Sequence, residues 1–126
     1  MKGGELFVTN DKSDIIALYN DLANIVWQRI IDVAGIHSAR VLVQRTTWIT
    51  QQKYSEAEAI QFGENGISFF ELKGIAEEEK LKLVIEEFFA SLINILTRLI
   101  GEDISNKIIQ EMNDIIGAEG GQAWKK

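Results

Sequence analysis

The sequence predicts an all-α domain, a small bundle of about four main helices joined by short helical turns. Two observations carry this expectation. Apolar residues recur at three- and four-residue intervals over long stretches, and glycine falls at the ends of those stretches, ten glycines and no proline punctuating 126 residues. With 46% apolar and 25% charged residues the composition is that of one ordinary globular domain.

Residues 10–34 form the first expected helix, with Ile15, Leu18, Tyr19, Leu22, Ile25, Val26, Ile30 and Val33 along one face. Asn10 and Asp11 are placed to accept its free amides, and Gly35 sits where a left-handed residue ends a helix. Ile36 is then expected to fold back on Ile31 in a Schellman ending. Residues 37–54 are rich in strand-friendly Val41, Val43, Thr46, Thr47, Ile49 and Thr50. Periodicity decides for a helix there: Ala39, Leu42, Val43, Thr46, Ile49 and Thr50 share a stripe, and no turn signal interrupts it.

Residues 55–74 carry two competing signals. The run Glu64-Asn65-Gly66-Ile67 suits a type I′ turn in a β-hairpin spanning 60–71. Ser68 followed three residues later by Glu71 suits a capping box, with Ile67 and Leu72 as its staple, and Ser55-Glu56-Ala57-Glu58 offers a second box. Two start signals favour two short helical turns over the hairpin.

Residues 76–100 make the strongest helix, opened by Glu77, Glu78 and Glu79 and closed by Arg98 before Gly101. Leu81, Ile85, Phe88, Leu92, Ile95 and Leu99 mark a heptad seam, and Phe89, Ile93, Leu96 and Ile100 a second stripe. A final helix over 102–116 carries Ile104, Ile108, Ile109, Met112, Ile115 and Ile116. The domain is thus expected at 10–116, between a flexible N-terminus at 1–9 and a flexible glycine-rich tail at 117–126. No internal repeat is evident in the sequence.

Net charge is −6 and the pI near 4.8, which opposes binding to nucleic acid. Residues 28–54 run against that trend, with Arg29, Arg40, Arg45 and Lys53 facing only Asp32. An acidic surface, the chain's own second half included, is what such a segment suits, and an acidic partner protein is expected at the Arg40/Arg45 face. Neither a signal peptide nor a long uninterrupted apolar run is evident, so no membrane is expected and a cytoplasmic location is.

Catalytic templates fail for want of parts. With no cysteine there is no disulfide, zinc-thiolate site or thiol nucleophile, and His37 as the one histidine rules out a two-histidine metal site within a chain. The acidic pairs, such as Glu56 with Glu58 or Glu86 with Glu87, fall in helix first turns or beside lysines, where they cap and solvate. The glycine clusters match neither phosphate-binding fingerprint. No enzyme, cofactor or metal is expected.

Two places remain where function can lie. One is an interface, on the seam Leu81, Ile85, Phe88, Leu92, Ile95 and Leu99 together with Trp27 and Trp48, which would make the protein a homodimer. The other is a pocket for a small apolar ligand among Phe62, Phe69, Phe70, Phe88 and Phe89. Asn94, inside the broad apolar girth of the long helix, either faces solvent or sets the register of a helix pairing.

The run Gly66-Ile67-Ser68-Phe69-Phe70-Glu71-Leu72, the long helix closing in Leu99-Ile100-Gly101-Glu102-Asp103, and the Ile-rich last helix together resemble helical modules found beside receiver and sensor-kinase domains in prokaryotic signalling proteins. The resemblance covers 60–116 and implies a regulatory role. It carries over no functional residue, because the phosphoacceptor and receiver motifs are missing. The expected function is a non-enzymatic interaction or dimerisation module, with a ligand-binding sensor as the alternative.

Overall fold

The computed structural model describes residues 12–118. Its framework is four helices, α1 (Lys12–Ala34), α2 (Ile36–Lys53), α3 (Glu78–Ile100) and α4 (Glu102–Ala118). Between α2 and α3 lie a 3-10 turn at Ser55–Ala59, a hairpin of β1 (Gln61–Gly63) and β2 (Gly66–Ser68), and a second 3-10 turn at Phe70–Gly74. The mostly helical bundle expected from periodicity is therefore present, with a small sheet added. The expectations of flexibility at 1–9, of caps at Asn10 and Asp11, and of flexibility over most of the tail fall outside the described residues. The last helix runs on through Gly117 to Ala118, past its expected end.

One glycine makes each helix corner. Gly35 (φ 91°, ψ 163°) and Gly101 (φ 93°, ψ 163°) adopt almost the same conformation, one open to glycine and closed to residues with a Cβ. The Gly35 amide donates to the Ile31 carbonyl and its own carbonyl accepts from Ala39; Gly101 does the same with Thr97 and Ser105. Each glycine thus ends one helix and begins the next. The Schellman ending does not form, because ψ near 163° sends the chain straight into α2, with Ile36 as its first residue.

These corners reveal a repeat of architecture that the residue identities hide. α1 and α3 each have 23 residues, and α2 and α4 have 18 and 17. Counted from the two glycines, buried residues coincide: Leu22 with Phe88, Val26 with Leu92, Trp27 with Ile93, Ile30 with Leu96, Ala39 with Ser105, Leu42 with Ile108, Thr46 with Met112. Half-buried Thr97 and buried Ser105 face each other across the second corner. Thr97 spends its proton on the Ile93 carbonyl (2.7 Å), so the 2.6 Å contact between hydroxyls has Ser105 as donor.

Both short helical turns favoured over 55–74 are present, as the 3-10 turns Ser55–Ala59 and Phe70–Gly74, and the hairpin placed second to them lies between them. Its register is Gln61 opposite Ser68, Phe62 opposite Ile67 and Gly63 opposite Gly66. The type I′ turn does not form either: Glu64 and Asn65 are the loop, neither has a positive φ, and Gly66 takes the reversal at φ 110°. Ser68 makes no capping box; its Oγ accepts the Phe70 amide at 3.2 Å, two residues on. What holds β2 is α1. Asn24 Oδ1 accepts the Ile67 amide (3.2 Å), Asn20 Oδ1 accepts the Phe69 amide (2.8 Å), and Asn24 Nδ2 donates to the Asn20 carbonyl (2.9 Å). The edge of β2 thereby finds its partners in side chains instead of a third strand.

Anchored this way, Phe69 enters the core edge-on to Phe88 and Phe89, with ring centroids 5.4 and 5.8 Å away, and those two rings stand 5.9 Å apart. All three are fully buried. Each such burial contributes about 1.5–3 kcal/mol. Tyr19 lies beside them, 6.1 Å from Phe89, and burial together with the Glu86 carboxylate raises its phenol pKa.

Candidate interaction surface

α2 has two unlike sides. Ala39, Leu42, Val43, Thr46, Thr47 and Thr50 are buried. The three buried threonine hydroxyls are satisfied locally, donating to the carbonyls of Leu42 (2.8 Å), Val43 (2.9 Å) and Thr46 (2.8 Å) four residues earlier. That back-bonding lets a β-branched segment stay helical with no buried donor left over.

The other side holds His37, Val41, Gln44, Arg45, Trp48 and Gln52, all exposed, with Arg40 on its flank. At 100° per residue these positions lie within one outward arc, forming a ridge about four turns long. Val41 is 65% exposed and Trp48 61%. Neither Arg40 nor Arg45 makes an ion pair with a described residue. No Asp or Glu occurs in α2.

Several cations elsewhere are committed to carboxylates, although Arg98 and Lys107, like Arg40 and Arg45, make no ion pair with a described residue. Arg29 of α1 holds Glu111 of α4 in a two-pronged contact, Nε to Oε1 at 2.8 Å and Nη2 to Oε2 at 2.7 Å, and this keeps the Glu111 carboxyl below its ordinary pKa. Lys53 reaches Glu87 at 3.4 Å and Lys80 reaches Glu56 at 3.9 Å, both ammonium groups lying over the Tyr54 ring.

The repeat supplies an internal control. Counted from Gly101, the positions of Val41, Arg45 and Trp48 are taken on α4 by Lys107, Glu111 and Asp114. An outer helix of this fold is polar at these places, and α2 departs from that pattern with an aliphatic residue, an unpaired arginine and a tryptophan.

The expected seam is not such a surface. Leu81, Ile85, Phe88 and Leu92 are fully buried within the chain, Ile95 is partly buried, and only Leu99, 67% exposed, faces out. α3 packs against α1, α2 and α4 at once, which consumes its broad apolar girth. Trp27 is likewise core, beside Gly66, so of the two tryptophans named for an interface only Trp48 is at the surface. Asn94 faces solvent. The expected phenylalanine pocket is also redistributed: Phe69, Phe88 and Phe89 pack on one another, Phe62 is half-buried in β1, and Phe70 is 59% exposed.

Among the described residues no group of three or more His, Cys, Asp or Glu side chains is placed to hold a metal, and no helix is long and apolar enough to cross a membrane. Compared with protein-family models, curated proteins and solved structures, the chain finds no match in any of the three.

Proposed function

We propose that the chain is a non-enzymatic protein-interaction module of a cytoplasmic regulatory assembly, and that the outward face of α2 docks an acidic partner protein. The observation that carries this reading is Trp48, left 61% exposed beside Val41 and Arg45 on a helix without carboxylates. Tryptophan and arginine dominate the binding energy of protein interfaces, and side chains of this kind gain most when a partner takes them out of water. The resemblance to modules of signalling proteins points to the same class of role.

Charge selects the partner. A symmetric pair of copies joined through this face would set Arg40 and Arg45 against their own images with no carboxylate on the helix to relieve them, a juxtaposition that costs several kcal/mol. Nucleic acid carries the right sign, but two free arginines neutralise few phosphates and a net charge of −6 opposes approach. An acidic protein surface with apolar side chains satisfies both halves of the ridge.

Selection from a random peptide library displayed on phage tests the reading, with wild type as bait and Val41→Ser/Trp48→Ser for depletion. Enriched sequences are expected to combine Asp or Glu with apolar residues and to lose the depleted variant. Enrichment of basic sequences, or equal retention by the variant, refutes it. Saturable sub-micromolar binding of a duplex oligonucleotide at about 0.15 M salt reassigns the partner to nucleic acid.

A further inference from the structure

We infer that what docks on α2 is itself an α-helix, with two apolar residues seven apart and a carboxylate between them. This rests on the acidic-partner reading above and specifies the form that partner takes.

The geometry of the ridge leads there. Val41 and Trp48 are separated by seven residues, two helical turns, or about 10.5 Å along the axis. Arg45 lies between them on the same outward arc, and Gln44 and Gln52 border the row. The row therefore repeats with the period of a helix, and a second helix laid along it meets one side chain per turn. An extended segment fits badly. It would press its own amides and carbonyls against Val41 and Trp48, where the α2 backbone is already spent on internal hydrogen bonds. The hairpin offers no substitute along β2, because the Ile67 and Phe69 amides are taken by Asn24 and Asn20. A helix brings its backbone already satisfied and presents only side chains.

Charge then fixes the register. Arg45 has no carboxylate partner among the described residues, so a partner covering Val41 and Trp48 together must supply one between its two apolar contacts or bury an unpaired guanidinium. Arg40, farther round the helix, adds attraction at the rim, where it speeds association more than it tightens the complex.

The test uses three synthetic peptides of identical composition and about 20 residues, long enough to form helix on binding. One places Leu at seven-residue spacing with Glu four residues after each, one is scrambled, and one keeps the pattern with its one proline moved from the end to the centre. Binding is read by amide chemical shifts of the protein and by circular dichroism of the peptide. The patterned peptide is expected to shift residues 37–52, gain helicity, and bind at least tenfold more tightly than the other two. Arg45→Glu, at an exposed position, should lose at least tenfold, and a peptide with Lys in place of Glu should restore it. Equal binding by all three peptides overturns the helical inference while the acidic-docking reading stands. No binding by any, with no shift on α2, overturns both.

Discussion

Gly66→Ala tests how the hairpin is held. Gly66 has φ 110°, and a Cβ built on it would overlap Asn24 Oδ1, the acceptor of the Ile67 amide. Two costs follow. An alanine held in that backbone region costs about 1–3 kcal/mol. Pushing the Asn24 side chain aside forfeits a hydrogen bond of 3.2 Å, a further cost of about 0.5–1.5 kcal/mol. The expected loss is about 2–4 kcal/mol in urea denaturation, a large part of the stability of a small domain. Gly63→Ala is the control, since nothing stands within 4 Å of its Cβ and its φ is not positive. A neutral result or a gain of up to about 1 kcal/mol is expected there. The decisive measurement is the double-mutant cycle with Asn24→Ala. Because the two changes destroy the same hydrogen bond and the second removes the clash, the double variant should lose at least ~1 kcal/mol less than the sum. Additive losses, or a Gly66→Ala cost below about 0.5 kcal/mol, would refute the account of Asn24 as the clamp.

Three further outcomes follow from other parts of the molecule. Trp48→Ser should change stability by no more than about 0.5 kcal/mol, whereas Trp27→Ala, in the core, should cost about 3–5 kcal/mol in the same denaturation assay. Thr97→Val strips the buried Ser105 hydroxyl of its acceptor and should cost more than Ser105→Ala, which leaves Thr97 bonded to Ile93; the reverse order would mean that the proton between the two hydroxyls runs the other way. Arg29 lowers the folded-state pKa of Glu111 below its unfolded value, so the contribution of this pair is fully present above the ordinary glutamate range and is lost as pH falls through the folded value. Both partners are substantially exposed and screened by solvent, so that loss is small. Denaturation midpoints of Glu111→Gln should therefore fall less than those of wild type below about pH 4.3.

The helices were legible in the sequence because their determinants are local. The stripe through Leu22, Val26 and Ile30, and the acids ahead of Leu81, need only neighbours a turn away. The hairpin was placed second because the cues at Ser55 and Ser68 spell helix starts, and short turns do follow them, while the anchors of the hairpin are Asn20 and Asn24, 49 and 43 residues from the amides they hold. No periodicity links those positions. The seam from Leu81 to Leu99 was misassigned for a related reason: a heptad states that an apolar face will be covered, and the covering helices here belong to the same chain. The candidate site was half visible. Trp48, Val41 and Arg45 stood off the α2 stripe, and the charge asymmetry named Arg40 and Arg45, but only burial separates Trp48 from Trp27.

The two glycine corners bear on the order in which the chain assembles. With a single residue between helices, α1 meets α2 and α3 meets α4 over short loops that are inexpensive to close. The contacts that join one helical pair to the other are distant in the chain: Lys53 to Glu87 spans 34 residues and Arg29 to Glu111 spans 82. Low sequence separation favours pairing within each half ahead of the union between halves, and contacts of the second kind are the ones expected to limit the folding rate. The ridge of Val41, Arg45 and Trp48 points away from that union. A partner seated there engages the finished bundle from outside and leaves its closure untouched.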